Sequence, residues 1–304
     1  MSRLTRVQEE VLACLGRVGV AARQAVESML SGQHRSLHRG LSVDFVGHRA
    51  YQPGDDFRHL DWQVFARTDR YAVRIYQEET RLRATIVVDC SGSMAYGSGA
   101  SNKLSYAGDL AAALGVLMVW QGDSVGLVIG DRRVREQAPP GTGTGHLTRM
   151  LRELEHVRAV GRTDLPAVLA QVARRSRRRG LVVLISDGGD DPQALVLAIR
   201  MLRHHRQDVL LFVLSHADEE DLAVQGMVQF QDLETGAVLS LDADRVRARY
   251  RQQRDRQRRL LVGGCREAGA QVEWVRTDED LRTVLARGLG PRQRPRRGAG
   301  GGGG

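Results

Sequence analysis

The feature that most constrains this chain is the stretch from Arg83 to Met94, which reads RATIVVDCSGSM. It begins as a short apolar run rich in β-branched residues, which is typical of a buried strand. The run stops at Asp89, and Ser91 and Ser93 follow at alternate positions with a glycine between them. One carboxylate and two hydroxyls at the carboxyl end of a strand form the all-oxygen set that Mg²⁺ prefers. A serine-glycine turn with an Asx-type cap has the same composition. The stretch is therefore consistent with either a metal site or a structural turn at the end of the strand.

Two later stretches carry further oxygen donors. Residues 180–187 form a second apolar run, and this run ends in Asp187. Thr163 opens an amphipathic segment, where its hydroxyl is expected near a helix N-cap. Ligands of open α/β sheets bind at the carboxyl ends of the strands, so these groups are expected at one edge. The order of the motifs resembles the von Willebrand factor A fold and its metal-ion-dependent adhesion site.

That resemblance implies a bound Mg²⁺ (or Mn²⁺) and five ligand positions, which fall on Asp89, Ser91, Ser93, Thr163 and Asp187. Serine hydroxyls are neutral, so these ligands leave the charge of a divalent cation incompletely balanced. A carboxylate from another protein would supply the missing ligand. The resemblance therefore implies that an Asp or Glu of a client protein completes the metal site.

The segment 32–67 has no clean helical or strand period and is dense in His, Arg, Asp and aromatic residues around Pro53-Gly54. An ion-pair network or a binding surface would both explain this mixture. The segment resembles the signature of a bacterial family catalogued as domain of unknown function 58, in which a von Willebrand A-type domain follows directly. The residues that carry the resemblance are Gly32, His34, Ser36, Gly40, Asp44, Phe45, Arg49, Tyr51, Pro53, Gly54, Asp55, Asp56, Arg58, Asp61, Trp62, Ala66 and Arg67.

The family resemblance also implies a partner, an AAA+ ATPase of the MoxR type. The pair would act as a chaperone-like system that assembles or activates other proteins. Many members of the family have transmembrane helices ahead of the signature. This chain shows no such helices, so we do not expect the family's attachment to the membrane through them in this protein.

Strands alternate with helices along most of the chain, which predicts an α/β fold with a doubly wound, mostly parallel sheet of the von Willebrand A or Rossmann-like kind. Four regions are expected. Residues 1–31 are a helical segment, 32–82 the irregular signature segment with an edge strand, 83–290 the von Willebrand A-type domain, and 291–304 a disordered tail of Arg, Pro and Gly. A β-hairpin is predicted near 227–241.

Composition limits location and redox chemistry. No window approaches the roughly 18 apolar residues of a membrane span, and the N-terminus lacks a signal-peptide core. We therefore expect a cytoplasmic protein without a membrane span. The three cysteines, Cys14, Cys90 and Cys265, lie far apart and form no CxxC motif. This spacing argues against a disulfide framework and against a zinc site.

Three functions remain open. We favour a non-enzymatic, metal-dependent protein-interaction module. The alternative is a metal-dependent hydrolase of phosphate esters, but no general base is evident and Ser91 stands where such phosphatases have a second Asp. The net charge of +9, which is almost all arginine, also allows nucleic-acid binding through the helix at 244–269 and the tail. We favour solvated helix faces and an unstructured tail as the explanation of that charge, and we regard a nucleic-acid partner as the weakest hypothesis.

Overall fold

The structure, a computed structural model, describes residues 22, 24–26, 43–52, 60–78, 82–189, 191–222 and 224–289. The chain divides into two compact units, one formed by residues 36–82 and the other by 1–35 and 83–304. Most of the predicted helical segment 1–31 and the whole tail 291–304 lie outside the described residues.

The smaller unit contains a two-stranded antiparallel sheet. Strand β1 (Val43–Ala50) pairs with β2 (Ala72–Glu78), and helix α1 (Trp62–Thr68) lies between them in sequence. The described part of this segment is more regular than its sequence indicates. Pairing of two strands satisfies their backbone hydrogen bonds even where the side-chain pattern is mixed. β2 was expected as an edge strand that precedes the central strand, and it is a strand at this position, paired with β1.

The larger unit is built on a six-stranded sheet with the order β10-β7-β6-β3-β4-β5. Every neighbouring pair is parallel except β4 and β5, which are antiparallel. The mixed α/β fold with a mostly parallel sheet is therefore confirmed. The strands are β3 (Arg83–Asp89), β4 (Ser124–Gly130), β5 (Val134–Gly141), β6 (Gly180–Ser186), β7 (Gln207–Ser215) and β10 (Gln271–Arg276).

Helices connect these strands, and polar caps define where several of them begin. The side chains of Asn102, Asp164 and Asp191 accept hydrogen bonds from backbone N–H groups in the first turns of α2, α4 and α5. The helices are α2 (Lys103–Trp120), α3 (Thr144–His156), α4 (Leu165–Arg175), α5 (Pro192–His204), α6 (Ala217–Asp221), α7 (Ala243–Glu267) and α8 (Leu281–Leu289).

Two features of the larger unit bear on the sequence predictions. The predicted hairpin is confirmed, with β8 (Met227–Gln231) antiparallel to β9 (Val238–Asp242). Residues 139–141 read Pro-Pro-Gly, a sequence that favours a loop, but they end strand β5. β5 lies at the edge of the sheet, where a proline can replace a residue whose N–H would not be paired.

The apolar core positions the strand ends rigidly. β3 lies between β4 and β6, and its residues Val87 and Val88 are completely buried. Leu169 of α4, Ile199 of α5 and Leu261 of α7 pack into the cluster that covers this sheet. Two layers of helices with a buried sheet between them leave the strand ends as the places where polar groups can reach solvent.

Two adjacent glycines of α7 make a matched test of this packing. A Cβ on Gly264 would lie 2.6 Å from Cγ2 of Val196 in α5, whereas a Cβ on Gly263 would meet nothing within 4 Å. Gly264→Ala should lower the free energy of unfolding by roughly 1–3 kcal/mol through overpacking. Gly263→Ala should raise it by about 0.5–1 kcal/mol because alanine favours a helix. Urea unfolding of both variants checks this, and equal effects of one sign would contradict the packing of α5 on α7.

Candidate metal centre

The first group of the predicted site lies at the carboxyl end of the central strand. Asp89 ends β3 and is completely buried. One carboxylate oxygen, Oδ1, accepts a hydrogen bond from the Ser91 N–H at 2.9 Å, and Oδ2 accepts one from the Ser186 hydroxyl at 2.7 Å. The hydroxyl oxygens of Ser91 and Ser93 are 3.1 Å apart. Asp89 and the two serines therefore form one compact group of oxygen atoms.

The loop that carries Thr163 is hydrogen-bonded to the serine loop. The Gly92 N–H donates to the Gly161 carbonyl at 2.8 Å, and the Val160 N–H donates to the Cys90 carbonyl at 2.9 Å. Thr163 is half-buried and directly precedes Asp164, whose side chain caps α4. The sequence placed the Thr163 hydroxyl near the cap, and the structure assigns the capping bond itself to Asp164.

Asp187 follows β6, the parallel neighbour of β3, so the two strands bring both aspartates to the same edge. The Asp187 side chain is 8% exposed and pairs with the Lys103 ammonium at 3.0 Å. Lys103 also contacts the Glu219 carboxylate at 2.5 Å. Burial works against the charge of the ammonium, but the two carboxylates outweigh it and raise the pKa of Lys103. Lys103 is the only lysine in the sequence, and this rarity was a signal that could have marked it.

The carboxyl group of Asp89 has an unusual environment. Burial raises its pKa to about 7, and repulsion from Asp187 adds to the shift, while hydrogen bonds from Ser186 and Ser91 oppose it. None of the described ion pairs involves Asp89. A buried carboxylate without a cationic partner is unfavourable in its charged form. A divalent cation beside Asp89 would remove this cost.

A further carboxylate, Glu234, approaches the site from the hairpin of β8 and β9. Its Oε2 accepts a hydrogen bond from the Thr163 N–H at 3.2 Å. The side chain of Ser93 also donates to it, while its partial burial and the nearby Asp187 raise the pKa of Glu234. Glu234 was not predicted as a site residue because it lies about 50 residues from the nearest predicted ligand, in a turn whose sequence indicates only a hairpin.

The donors fit a hard divalent cation by their chemistry. Asp89, Ser91, Ser93, Thr163 and Asp187 offer only oxygen, which is what Mg²⁺ requires. The described parts of the chain contain no group of three or more His, Cys, Asp or Glu side chains that could hold one ion. A metal held here would therefore depend on the serine and threonine hydroxyls in addition to carboxylates, as the predicted ligand set requires.

Comparison with known families agrees with the signature found in the sequence. The family described as "protein of unknown function DUF58" matches residues 47–260. The chain belongs to this family. Uncharacterized proteins of Mycobacterium bovis and Mycobacterium tuberculosis are 31% identical to it over 289 residues, which is 94% of this chain and 90% of each relative. These relatives are described as uncharacterized, so membership of the family does not by itself assign an activity.

Several solved structures are similar to this DUF58 protein at low identity. An aerotolerance-related membrane protein of Bacteroides fragilis has a TM-score of 0.47 and 16% identity, and covers 68% of this chain and 98% of its own. The conserved hypothetical protein BatB of Bacteroides thetaiotaomicron has a TM-score of 0.46 and 13% identity, and covers 68% of this chain and 97% of its own. An uncharacterized membrane-spanning protein of Vibrio fischeri has a TM-score of 0.27 and 15% identity, and covers 68% and 96%.

The expected cytoplasmic location is contradicted by this comparison, because two of these structural neighbours are described as membrane proteins. That prediction was wrong in its reasoning, since a chain without a spanning helix can still associate with a membrane surface. Within the part of the chain that the structure describes, no helix has both the length and the apolar character that crossing a bilayer needs.

The raised pKa of Asp89 leads to a pH dependence of stability in metal-free protein. The folded state keeps a proton up to about pH 7, whereas the unfolded chain releases it near pH 4. Unfolding therefore releases a proton between these values, and the free energy of unfolding should fall as the pH rises from about 4 to about 7. Asp89→Asn, which cannot ionise, should lose this part of the slope and be more stable than wild type at pH 7.5 by roughly 1–3 kcal/mol.

Thermal and urea unfolding in a chelating buffer at several pH values measures this effect. Asp255→Asn, on an exposed position of α7, removes the same charge without burial and should leave the slope unchanged. If Asp89→Asn destabilises the metal-free protein at pH 7.5, the Asp89 carboxylate is not held in an unfavourable charged form.

Lys103→Met tests the buried ammonium. The variant leaves Asp187 and Glu219 without their cation and should lower the free energy of unfolding in metal-free protein by roughly 3 kcal/mol. Arg200→Met removes an ion pair whose side chains are 51% and 73% exposed, and it should change stability by less than about 1 kcal/mol. Urea unfolding of the two variants gives the comparison, and equal effects would show that Lys103 is not needed to balance these carboxylates.

Proposed function

We propose that this chain is a metal-dependent protein-interaction module built on a domain of the von Willebrand A type. The observation that carries the proposal is the buried Asp89 carboxylate, which has no cationic partner among the described ion pairs and adjoins the hydroxyls of Ser91 and Ser93. A hydroxyl pair beside a buried carboxylate has little value for packing. Its oxygen atoms have the right chemistry for Mg²⁺ or Mn²⁺.

In this proposal Asp89, Ser91 and Ser93 hold the cation directly, and Thr163 and Asp187 contribute either directly or through water. When bound, the cation supplies a positively charged centre with affinity for a carboxylate oxygen. The chain itself positions the oxygen donors around the cation. The core fixes the two strand ends, and the backbone bonds between the loops at 90–92 and 160–161 hold the donors in position.

The proposed partners follow from the family resemblance. A client protein would present an Asp or Glu to the metal, and an AAA+ ATPase of the MoxR type would work with this chain in assembling or activating that client. Support for the ATPase is the signature segment 32–67 together with membership of the DUF58 family. A pull-down with a purified MoxR-type ATPase in the presence and absence of Mg²⁺ tests the partner.

A phosphate-ester hydrolase is the second candidate, and Glu234 is the observation that favours it. The sequence showed no general base beside the ligands, whereas the structure puts the Glu234 carboxylate against Ser93 and Thr163. A carboxylate next to a metal can activate water. Turnover of para-nitrophenyl phosphate with Mg²⁺ or Mn²⁺, lost in Asp89→Asn, would favour the hydrolase over the interaction module.

Nucleic-acid binding has less support from the described contacts. Several arginines of α7 are used in packing: Arg247 donates to the carbonyls of Leu222 and Val224, Arg254 donates to the carbonyl of Glu219, and Arg258 lies 4.7 Å from the ring centre of Trp274. Arginines engaged in this way offer less free charge to phosphates.

Titration with Mg²⁺ followed by thermal unfolding tests the metal site. Wild type should be stabilised in a saturable way, by about 2.7 kcal/mol when the ion is at one hundred times its dissociation constant. Asp89→Asn should abolish the effect because the variant loses the buried anionic ligand. Asp255→Asn serves as the charge-matched control and should respond like wild type. If all three proteins respond alike, Mg²⁺ acts elsewhere and the proposed site is not a metal centre.

A further inference from the structure

The tip of the β8–β9 hairpin, residues 232–236, lies over the candidate metal centre. We propose that Glu234 is an intramolecular ligand of this centre, occupying the position that a partner's carboxylate would take. The hairpin then acts as a built-in competitor, and a client must displace Glu234 to reach the metal. This inference rests on the proposed metal-dependent function, and it adds the residue that controls access to the metal.

The contacts of Glu234 are made with members of the predicted ligand set. Its carboxylate accepts from the Thr163 N–H at 3.2 Å and from the Ser93 side chain. It thus approaches the centre from the side of the hydroxyls, while Asp89 and Asp187 lie at the ends of the two strands. An incoming carboxylate that binds a metal held by Ser91 and Ser93 would have to come close to the same hydroxyls.

The burial pattern of the hairpin singles out the same residue. From residue 231 to residue 240 every side chain is exposed except that of Glu234, which is half-buried. The neighbouring backbone is also in close contact, because a Cβ on Gly92 would lie 2.4 Å from the carbonyl oxygen of Leu233. The turn is therefore seated on the serine loop through its backbone, with one carboxylate turned inward.

The turn is ordered by its own hydrogen bonds. Asp232 accepts from the Glu234 N–H at 2.9 Å through its side chain and from the Gly236 N–H at 2.8 Å through its carbonyl. The hydroxyl of Thr235 also donates to the Asp232 carboxylate. Because the turn is already ordered, little further conformational entropy is lost when Glu234 binds a metal.

Charge argues for a cation rather than a simple hydrogen-bonded contact. Glu234 is placed near Asp187, another carboxylate, and the two side chains repel each other when both are charged. The turn of the β8–β9 hairpin and the end of β6 thus hold the carboxylates of Glu234 and Asp187 near one another. A bound divalent cation would convert this repulsion into attraction, and the tether would give Glu234 a high effective concentration against a free carboxylate.

Mn²⁺ is the probe for the experiment, because its electron paramagnetic resonance signal reports free ion and the relaxation of water protons reports the waters on the bound ion. The proteins compared are full-length wild type, Glu234→Gln, and Glu155→Gln as a charge-matched control on an exposed position of α3. Glutamine keeps an oxygen that accepts from the Thr163 N–H, so the hairpin should stay folded. Circular dichroism and the unfolding midpoint check that it does.

Glu234→Gln should weaken Mn²⁺ binding by roughly tenfold, because one anionic ligand is lost, and should raise the water-proton relaxation of the bound ion. Sodium acetate should then lower that relaxation in Glu234→Gln and leave wild type and Glu155→Gln unchanged. Glu234→Asp keeps the charge but shortens the side chain by one methylene. It should behave like Glu234→Gln if the contact is direct ligation.

The outcomes separate this inference from the proposed function. If wild type and Glu234→Gln bind Mn²⁺ with equal affinity and equal relaxation, Glu234 is not a ligand and the inference is overturned, while the metal site stands. A wild-type response of Glu234→Asp overturns direct ligation in the same way. If Mn²⁺ binds none of the proteins, or binds Asp89→Asn as tightly as wild type, the proposed metal site itself fails.

Discussion

The arrangement of the site depends on one buried carboxylate, that of Asp89. It lies at the end of the central strand, where the neighbours β4 and β6 and the covering helices exclude water. Hydrogen bonds from Ser186 and from the Ser91 N–H hold the carboxylate in one orientation. A charge in such a place is unfavourable without compensation, and burial and the nearby Asp187 both work against the charged form of Asp89.

Further charged side chains lie around Asp89 at the same edge of the sheet. Asp187 shares the Lys103 ammonium with Glu219, so one part of the edge is balanced by the chain's own cation. Glu234 reaches the serine loop, where the Thr163 N–H and the Ser93 hydroxyl donate to it, Asp187 repels it, and none of the described ion pairs includes it. The edge of the sheet therefore contains a neutralised half and an acidic half. This asymmetry explains how a single divalent cation would be directed to the serine loop, away from Lys103.

Much of the larger unit was predictable because its signals are local. Apolar runs that stop at a carboxylate marked β3 and β6, and capping aspartates preceded α4 and α5. Strand β1 and helix α1 were not predicted, because their segments carry mixed side chains without a clear period. Strand β2 was expected as an edge strand, but its pairing with β1 was not. The two prolines at the end of β5 suggested a loop, and only the position of β5 at the sheet edge makes a strand acceptable there.

The sequence by itself determined the mostly parallel α/β class and the spacing of Asp89, Ser91 and Ser93, because strand periodicity and a five-residue motif are properties of neighbouring residues. It also supplied the signature that identifies the family. Only the tertiary structure decided that Ser186, Lys103 and Glu234 belong to the same edge, at separations along the chain of up to about 145 residues from Asp89. Such groups meet through strand order and the seating of a hairpin, and these are set by packing of the whole domain rather than by any local pattern.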